Sequence, residues 1–297
     1  MVDVILIGLS LGSILLLIAL GLAITYGAMG VINMAHGDLV MVGAYTTVMA
    51  GIWLHLGFLA SIPLAFVVTA AIGLAIEKLI VRHLYGRLLD TLLATWGVAI
   101  LLQQAVRLEF GASFFGRHVE GLGSGLQKVD VPTWMTGSAR LLGTDVNLYR
   151  TFIIGVTLIL AAVTWFIMYR LPIGTQVRAI MRNPKMAAAC GIDVERVNAM
   201  TFAYGSGLAG VAGVMMSGFK TVFPDMGTPL VVDGFLVVVV GGVGSLFGAV
   251  AASGLLGQIN GVVAAATNDT LARAVIFAVV IAIIVLKPRG LFSYKGR

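Results

Sequence analysis

The chain has 297 residues, 59% of them hydrophobic and 11% charged, with a mean hydropathy of +1.04. No water-soluble domain presents that much apolar surface to solvent, so lipid is the expected surrounding, with room for roughly eight to ten spans of ~20 residues and little for an added soluble catalytic domain. The formal charge of +6 falls in connections between apolar runs and is no sign of nucleic acid, and the single Cys190 excludes a disulfide framework and a four-cysteine metal site.

The apolar runs predict an all-α polytopic membrane helix bundle, a single membrane domain over 1–297. Segments are expected at 4–26, 38–52, 58–77, 89–108, 149–169, 198–218, 230–243, 246–266 and 270–286. The first run lacks a preceding Lys/Arg region and a small-residue cleavage signature, so it reads as a retained span. Lys78, Arg82 and Arg87 make one basic connection, and Arg170, Arg178, Arg182, Lys185 and Arg196 make another within a loop over 170–197. The tail adds Lys287, Arg289, Lys295 and Arg297, whereas the connection from Glu109 to Arg150 balances four acids against four bases. The positive-inside tendency then places the N-terminus outside and the C-terminus inside. Segments 38–52 and 230–243 are short for a hydrocarbon core of ~30 Å and read as broken or re-entrant helices.

Polar residues interrupt these runs. Asn33, His36 and Asp38 surround Gly37, where a turn converges them on a path, or else marks a cytoplasmic boundary at which Asn33 and Asp38 cap helices and His36 packs. Thr95 and Trp96 lie two turns before Gln103 and Gln104 in an apolar helix. The glutamines point about 100° apart, so at least one meets protein or water. Asn183 reads as the cap and Pro184 as the start of a short helix through Lys185, Met186, Ala187 and Ala188 to Gly191, organised enough to dock on a cytoplasmic partner. Asp233 follows a turn-rich stretch and reads as a cap for the segment after it, with solute contact second. The run Gly241, Gly242, Val243, Gly244, Ser245 has no following Gly-Lys-Ser/Thr and reads as a helix break or packing site, not a phosphate loop. No catalytic nucleophile or metal-ligand set stands out.

Three stretches together resemble the branched-chain amino acid and urea permease family of bacterial ATP-binding-cassette importers. They are Gly30 to Gly37 after Tyr26-Gly27, Arg182 to Ile192, and Gly241 to Ser245. Leu92 to Gly97, Phe114-Phe115-Gly116, Val232 to Gly242 and Lys295-Gly296-Arg297 are similar to the urea branch. The resemblance implies a second homologous permease, two cytoplasmic ATPase subunits that use ATP and Mg, and an extracytoplasmic solute-binding protein. It also implies that 182–191 is the ATPase-docking segment, although Lys185 and Met186 stand where such importers often carry an acid. This chain itself is expected to bind no cofactor and to lie in a bacterial inner membrane.

The function expected is alternating-access import of urea. The alternative is import of branched-chain amino acids, and a passive small-solute channel comes third. The residues around Asn33, His36 and the glutamines suit either solute, so the family branch alone selects urea.

Overall fold

The computed structural model describes residues 2–107, 126–141, 144–288 and 290–292. Twelve helices are labelled here in chain order, and all nine expected apolar segments are among them. They are α1 (Val2–Met29), α2 (His36–Trp53), α3 (Phe58–Leu79), α4 (Leu88–Arg107), the single turn α5 (Thr133–Thr136), α6 (Leu148–Arg170), α7 (Pro172–Arg182), α8 (Pro184–Ala189), α9 (Val194–Ser217), α10 (Gly227–Gly241), α11 (Leu246–Ala266) and α12 (Asp269–Leu286). Strands β1 (Ser138–Leu141) and β2 (Thr144–Asn147) pair antiparallel ahead of α6. Among the described residues, seven helices are long and apolar enough to cross a membrane, and Thr270–Leu286 is a shorter apolar helix.

Local chemistry sets the helix starts. Asn147 accepts from the Arg150 amide at 3.2 Å, Asp193 from Arg196 at 3.0 Å, Ser245 from Gly248 at 3.0 Å and Asn268 from Leu271 at 2.8 Å. Each satisfies an amide that has no partner inside its own helix. The short segment expected at 230–243 starts earlier, at Gly227, because Pro229 falls in the first turn, where a missing amide costs no helical hydrogen bond. Its 15 residues rise about 22 Å, and a 3₁₀ turn at Pro224–Met226 leads into it.

The chain divides into two compact units. One comprises Met29–Asp130 and Asp193–Val232. In it α9 is buried along most of its length against α3 and α2. Small residues permit the approach: the backbones of Gly43 and Gly210 abut, and Gly73 lies against Ser206. Helices in lipid associate through such close packing, because hydrocarbon offers no hydrophobic drive between them. The other unit comprises Met1–Ala28, Val131–Ile192 and Asp233–Arg297. There α1 lies along α11, with Gly12 beside the Ser253 carbonyl and Gly257, while Gln258 donates to the Ile5 carbonyl at 3.0 Å. Arg150 donates to the Ser10 hydroxyl at 2.9 Å.

Candidate solute path

After α1 ends at Met29, the backbone turns at Gly30 and stays irregular to Ala35. Asn33 closes this turn, its Oδ1 accepting from the Ala35 amide at 3.0 Å and its carbonyl from His36 N at 3.3 Å. Thr95 on α4 braces the same turn, its Oγ1 accepting from the Met34 amide at 3.1 Å and lying 2.9 Å from the Thr91 carbonyl. Thr95 is fully buried and anchors the backbone.

Two helices begin at the next level. Gly37, in the first turn of α2, sits backbone to backbone against Gly227, the first residue of α10; a methyl group at Gly37 would collide with the Gly227 carbonyl and lie 2.9 Å from Val231 Cβ. Only a residue without Cβ permits that approach. Asp38, 2% exposed, points its carboxylate to α4, where Gln103 Nε2 donates to Oδ1 at 2.9 Å. The same nitrogen lies 3.3 Å from Thr228 Oγ1 on α10. Asp38, Gln103 and Thr228 thus form a polar chain across three helices, beside which Arg107 pairs with Asp225. The unpaired amides of two helix starts carry partial positive charge, which offsets the buried carboxylate.

Among the buried polar atoms of this unit that lack a partner are Asn33 Nδ2 and the Tyr45 hydroxyl, the latter two turns along α2 from Asp38. Unpartnered buried donors are uncommon and mark places where water or solute can enter.

The other expected residues separate. His36 is completely buried, whereas Trp96 is 54% exposed and Gln104 also faces outward. Of the two glutamines, only Gln103 joins the junction. The capping expectations need correction. The residue ahead of α2 is Ala35, with no side-chain cap, and Asp38 is engaged by Gln103 instead. Asp233 lies in the second turn of α10, past the amides a cap serves, with Oδ2 3.9 Å from Arg273 Nη2. Thr228 and Tyr45 were not singled out from sequence; Thr228 stands directly after a glycine at a turn, which is the signal that was available. The stretches Phe114-Phe115-Gly116 and Lys295-Gly296-Arg297 lie outside the described residues.

At the glycine run, α10 ends at Gly241, Gly242 and Gly244 adopt positive φ of 98° and 75°, and Ser245 caps α11. In the 170–197 loop, Asn183 Oδ1 accepts from the Met186 amide at 3.1 Å, and Pro184 is the first residue of α8. That helix ends with Gly191 at φ 83°, the Ile192 amide bonding to the Ala187 carbonyl at 3.1 Å and the Gly191 amide to Ala188 at 2.9 Å. This is a glycine-terminated Schellman stop. Arg182, Lys185, Met186 and Ala188 are exposed, and Ala187 is buried. Among the described residues, no group of three or more His, Cys, Asp and Glu side chains is placed to hold a metal ion.

The fold and the buried junction define an all-α, multi-pass membrane protein in which charged and amide side chains meet between helix starts. Residues 4–284 match the family of the permease component of the branched-chain amino acid transport system, and the chain belongs to that family, one of transport subunits and not of enzymes. It is 32% identical to the high-affinity branched-chain amino acid transport system permease protein LivH of Salmonella typhimurium, over 96% of this chain and 93% of that protein. It is 30% identical to the corresponding protein BraD of Pseudomonas aeruginosa, over 96% and 94%. Similarity extends to the permease protein LivM of Escherichia coli at 24% identity, over 83% of this chain and 60% of that one. No solved structure matches the chain.

These relatives correct the expected urea assignment, both as a branch and as a substrate: the family and the named permeases belong to branched-chain amino acid transport. Of the stretches that pointed to urea, Leu92 to Gly97 is described, and its polar side chains are placed as follows. Thr95 is spent on the Met34 backbone and Trp96 faces outward.

Proposed function

We propose that the chain is a membrane-spanning permease subunit of an ATP-driven importer of branched-chain amino acids in a bacterial inner membrane. The observation that carries this reading is similarity over nearly its whole length to LivH and BraD, which are named for that transport. The junction chemistry agrees with it. A zwitterionic amino acid needs an acceptor for its ammonium and donors for its carboxylate. Asp38 provides the first, and the amides of two helix starts provide the second.

In this reading Asn33, His36, Asp38, Thr95 and Gln103 build the solute path and its walls, with Thr228 and Tyr45 added to them. The N-terminus lies outside and the C-terminus inside, so α8 and its flanks face the cytoplasm. Arg182 to Gly191 is then the docking segment for one of two ATPase subunits, which bind and hydrolyse Mg-ATP. A homologous second permease completes the membrane part, and an extracytoplasmic binding protein delivers the solute. Nucleotide-driven movement of the docking segment exchanges outward and inward openings.

The test is ATP-dependent uptake of labelled leucine into proteoliposomes holding the co-purified complex and its binding protein. Saturable uptake competed by isoleucine and valine supports the reading. Leucine flux that persists without ATP points to a channel, and no leucine uptake by an ATP-hydrolysing complex refutes the substrate class.

A further inference from the structure

A second polar cluster lies in the same unit as the junction, around the basic connection between α3 and α4. Glu77, in the last turn of α3, is 0% exposed. Burying a carboxylate is costly unless charges and donors surround it. Here both oxygens are engaged by the following turn: Tyr85 donates its hydroxyl to Oε1 at 2.6 Å, and Arg82 Nη2 lies 3.5 Å from Oε2. The other terminal guanidinium nitrogen, Nη1, lies 3.3 Å from Glu195 Oε2, in the first turn of α9. Thr91 fixes the far side of the turn, its hydroxyl lying 2.8 Å from the Arg87 carbonyl and 3.1 Å from that of Leu84. The Tyr85 hydroxyl also lies 3.8 Å from Met29 Sδ. Burial first, and then the hydrogen bond and charge of Glu77, raise the Tyr85 phenol above its ordinary value, so it remains a donor throughout the physiological range.

Positive charge on a cytoplasmic connection needs only Lys or Arg in water to fix topology. A completely buried acid is unnecessary for that, and so is an arginine forked between acids on two helices. The cluster instead ties together the end of α3, the turn at 81–87, and the start of α9. Glu195 follows closely on the segment that ends at Gly191, with Asp193 between them as the α9 cap. From there α9 packs along both α3 and α2, the helix that carries Asp38.

Resting on the importer reading, we infer that Glu77, Tyr85, Arg82 and Glu195 form a positioning pin that makes the α3–α4 turn follow the start of α9 when the docking segment moves. These residues touch no solute and no nucleotide. They act on the path through α9 and α3. A planar guanidinium suits the task because its fork meets two carboxylates at once in fixed geometry.

The experiment uses the full complex in lipid nanodiscs, wild type and Tyr85→Phe, with hydrogen exchange followed at 81–87 and 194–200 with and without ATP. Leucine uptake per ATP hydrolysed is measured on the same preparations in proteoliposomes. In wild type both segments change protection together on ATP binding. In Tyr85→Phe the change at 194–200 persists, that at 81–87 is lost, and uptake per ATP falls about tenfold, the scale of one hydrogen bond to a charged group. Arg82→Lys keeps the charge, loses the fork and gives the same separation, and it decides the matter if Tyr85→Phe does not assemble. The pin is overturned if 81–87 still follows 194–200 in the variant that assembles, or if the two segments respond independently in wild type. A wild-type complex that hydrolyses ATP without leucine uptake but moves both segments together refutes the substrate and leaves the pin standing.

Discussion

Gln103→Leu tests whether the buried junction works as a unit. The substitution leaves an apolar side chain one atom shorter but of similar bulk, and removes the nitrogen that lies 2.9 Å from Asp38 and 3.3 Å from Thr228. Neutral hydrogen bonds between membrane helices average only about 0.6 kcal/mol in double-mutant cycles, because the alternative state also finds partners. The acceptor here is a carboxylate 2% exposed to solvent, which shifts the expectation to about 1.5–3 kcal/mol, or roughly a tenfold to hundredfold loss in leucine uptake kcat/KM. In an Asp38→Asn background the same change should cost about 1 kcal/mol or less, the scale of a neutral bond. The coupling read from the four proteins is therefore about 1–2 kcal/mol, measured as kcat/KM per inserted complex in proteoliposomes. Additive effects, with coupling below about 0.5 kcal/mol, would refute the Asp38–Gln103 contact as the element that holds α2, α4 and α10 in register.

Three other outcomes follow from the geometry. Gly37→Ala drives a methyl group into the Gly227 carbonyl and should destabilise the complex by about 1–3 kcal/mol, read as a lower thermal midpoint, while Gly97→Ala, with nothing within 4 Å, should leave it unchanged. Asn183→Ala removes the α8 cap at a cost of about 0.5–2 kcal/mol, and solute-stimulated ATPase should fall while the amount inserted in the membrane stays constant. Arg107→Gln breaks a partly exposed pair with Asp225, worth about 0–1 kcal/mol, so uptake should change by less than about fivefold and the difference should shrink in high salt.

The helices were legible because hydropathy is written along the chain: a run of apolar residues and its polar flanks locate a span without knowledge of its neighbours. Boundaries slipped where local chemistry overrode composition. Val194 to Asn198 is polar enough to pass for a loop, yet Asp193 caps it and it opens α9. Pro229 looks like a helix stop, yet it stands in the first turn of α10, where no intrahelical amide is required. The junction was legible only in part. The angular offset between Gln103 and Gln104 limited the choice to one of two, and nothing along the chain says that Gly37 meets Gly227 or that Asp38 reaches α4. Glu77 passed unnoticed because an acid beside Lys78 at a helix end reads as a solvated terminus; its burial depends on Tyr85 and Arg82 folding back over it. The substrate was the least legible feature. Donors and acceptors such as Asn33 and Gln103 suit urea and an amino acid alike, and the proposed substrate rests on the names of the relatives, not on the residue chemistry.

The break between α1 and α2 also bears on why the path lies where it is proposed. A continuous helix through residues 30–35 would satisfy its own amides, whereas the observed turn spends Asn33, Thr95 and the His36 amide on holding an irregular backbone, and leaves Asn33 Nδ2 buried without a partner. Packing alone gives no reason to keep such an arrangement, because an apolar helix would pack against α4 at lower cost. A solute path does: it needs helix starts whose amides face inward and a carboxylate whose position is fixed by its neighbours. Gly37 brings the two helix starts together, and Gln103 holds Asp38 between them and α4. Replacing Asp38, Gln103 and Thr228 together by apolar side chains of similar size, with Gly37 kept, should therefore raise the thermal midpoint of the complex while abolishing uptake, the combination expected when stability has been given up for function.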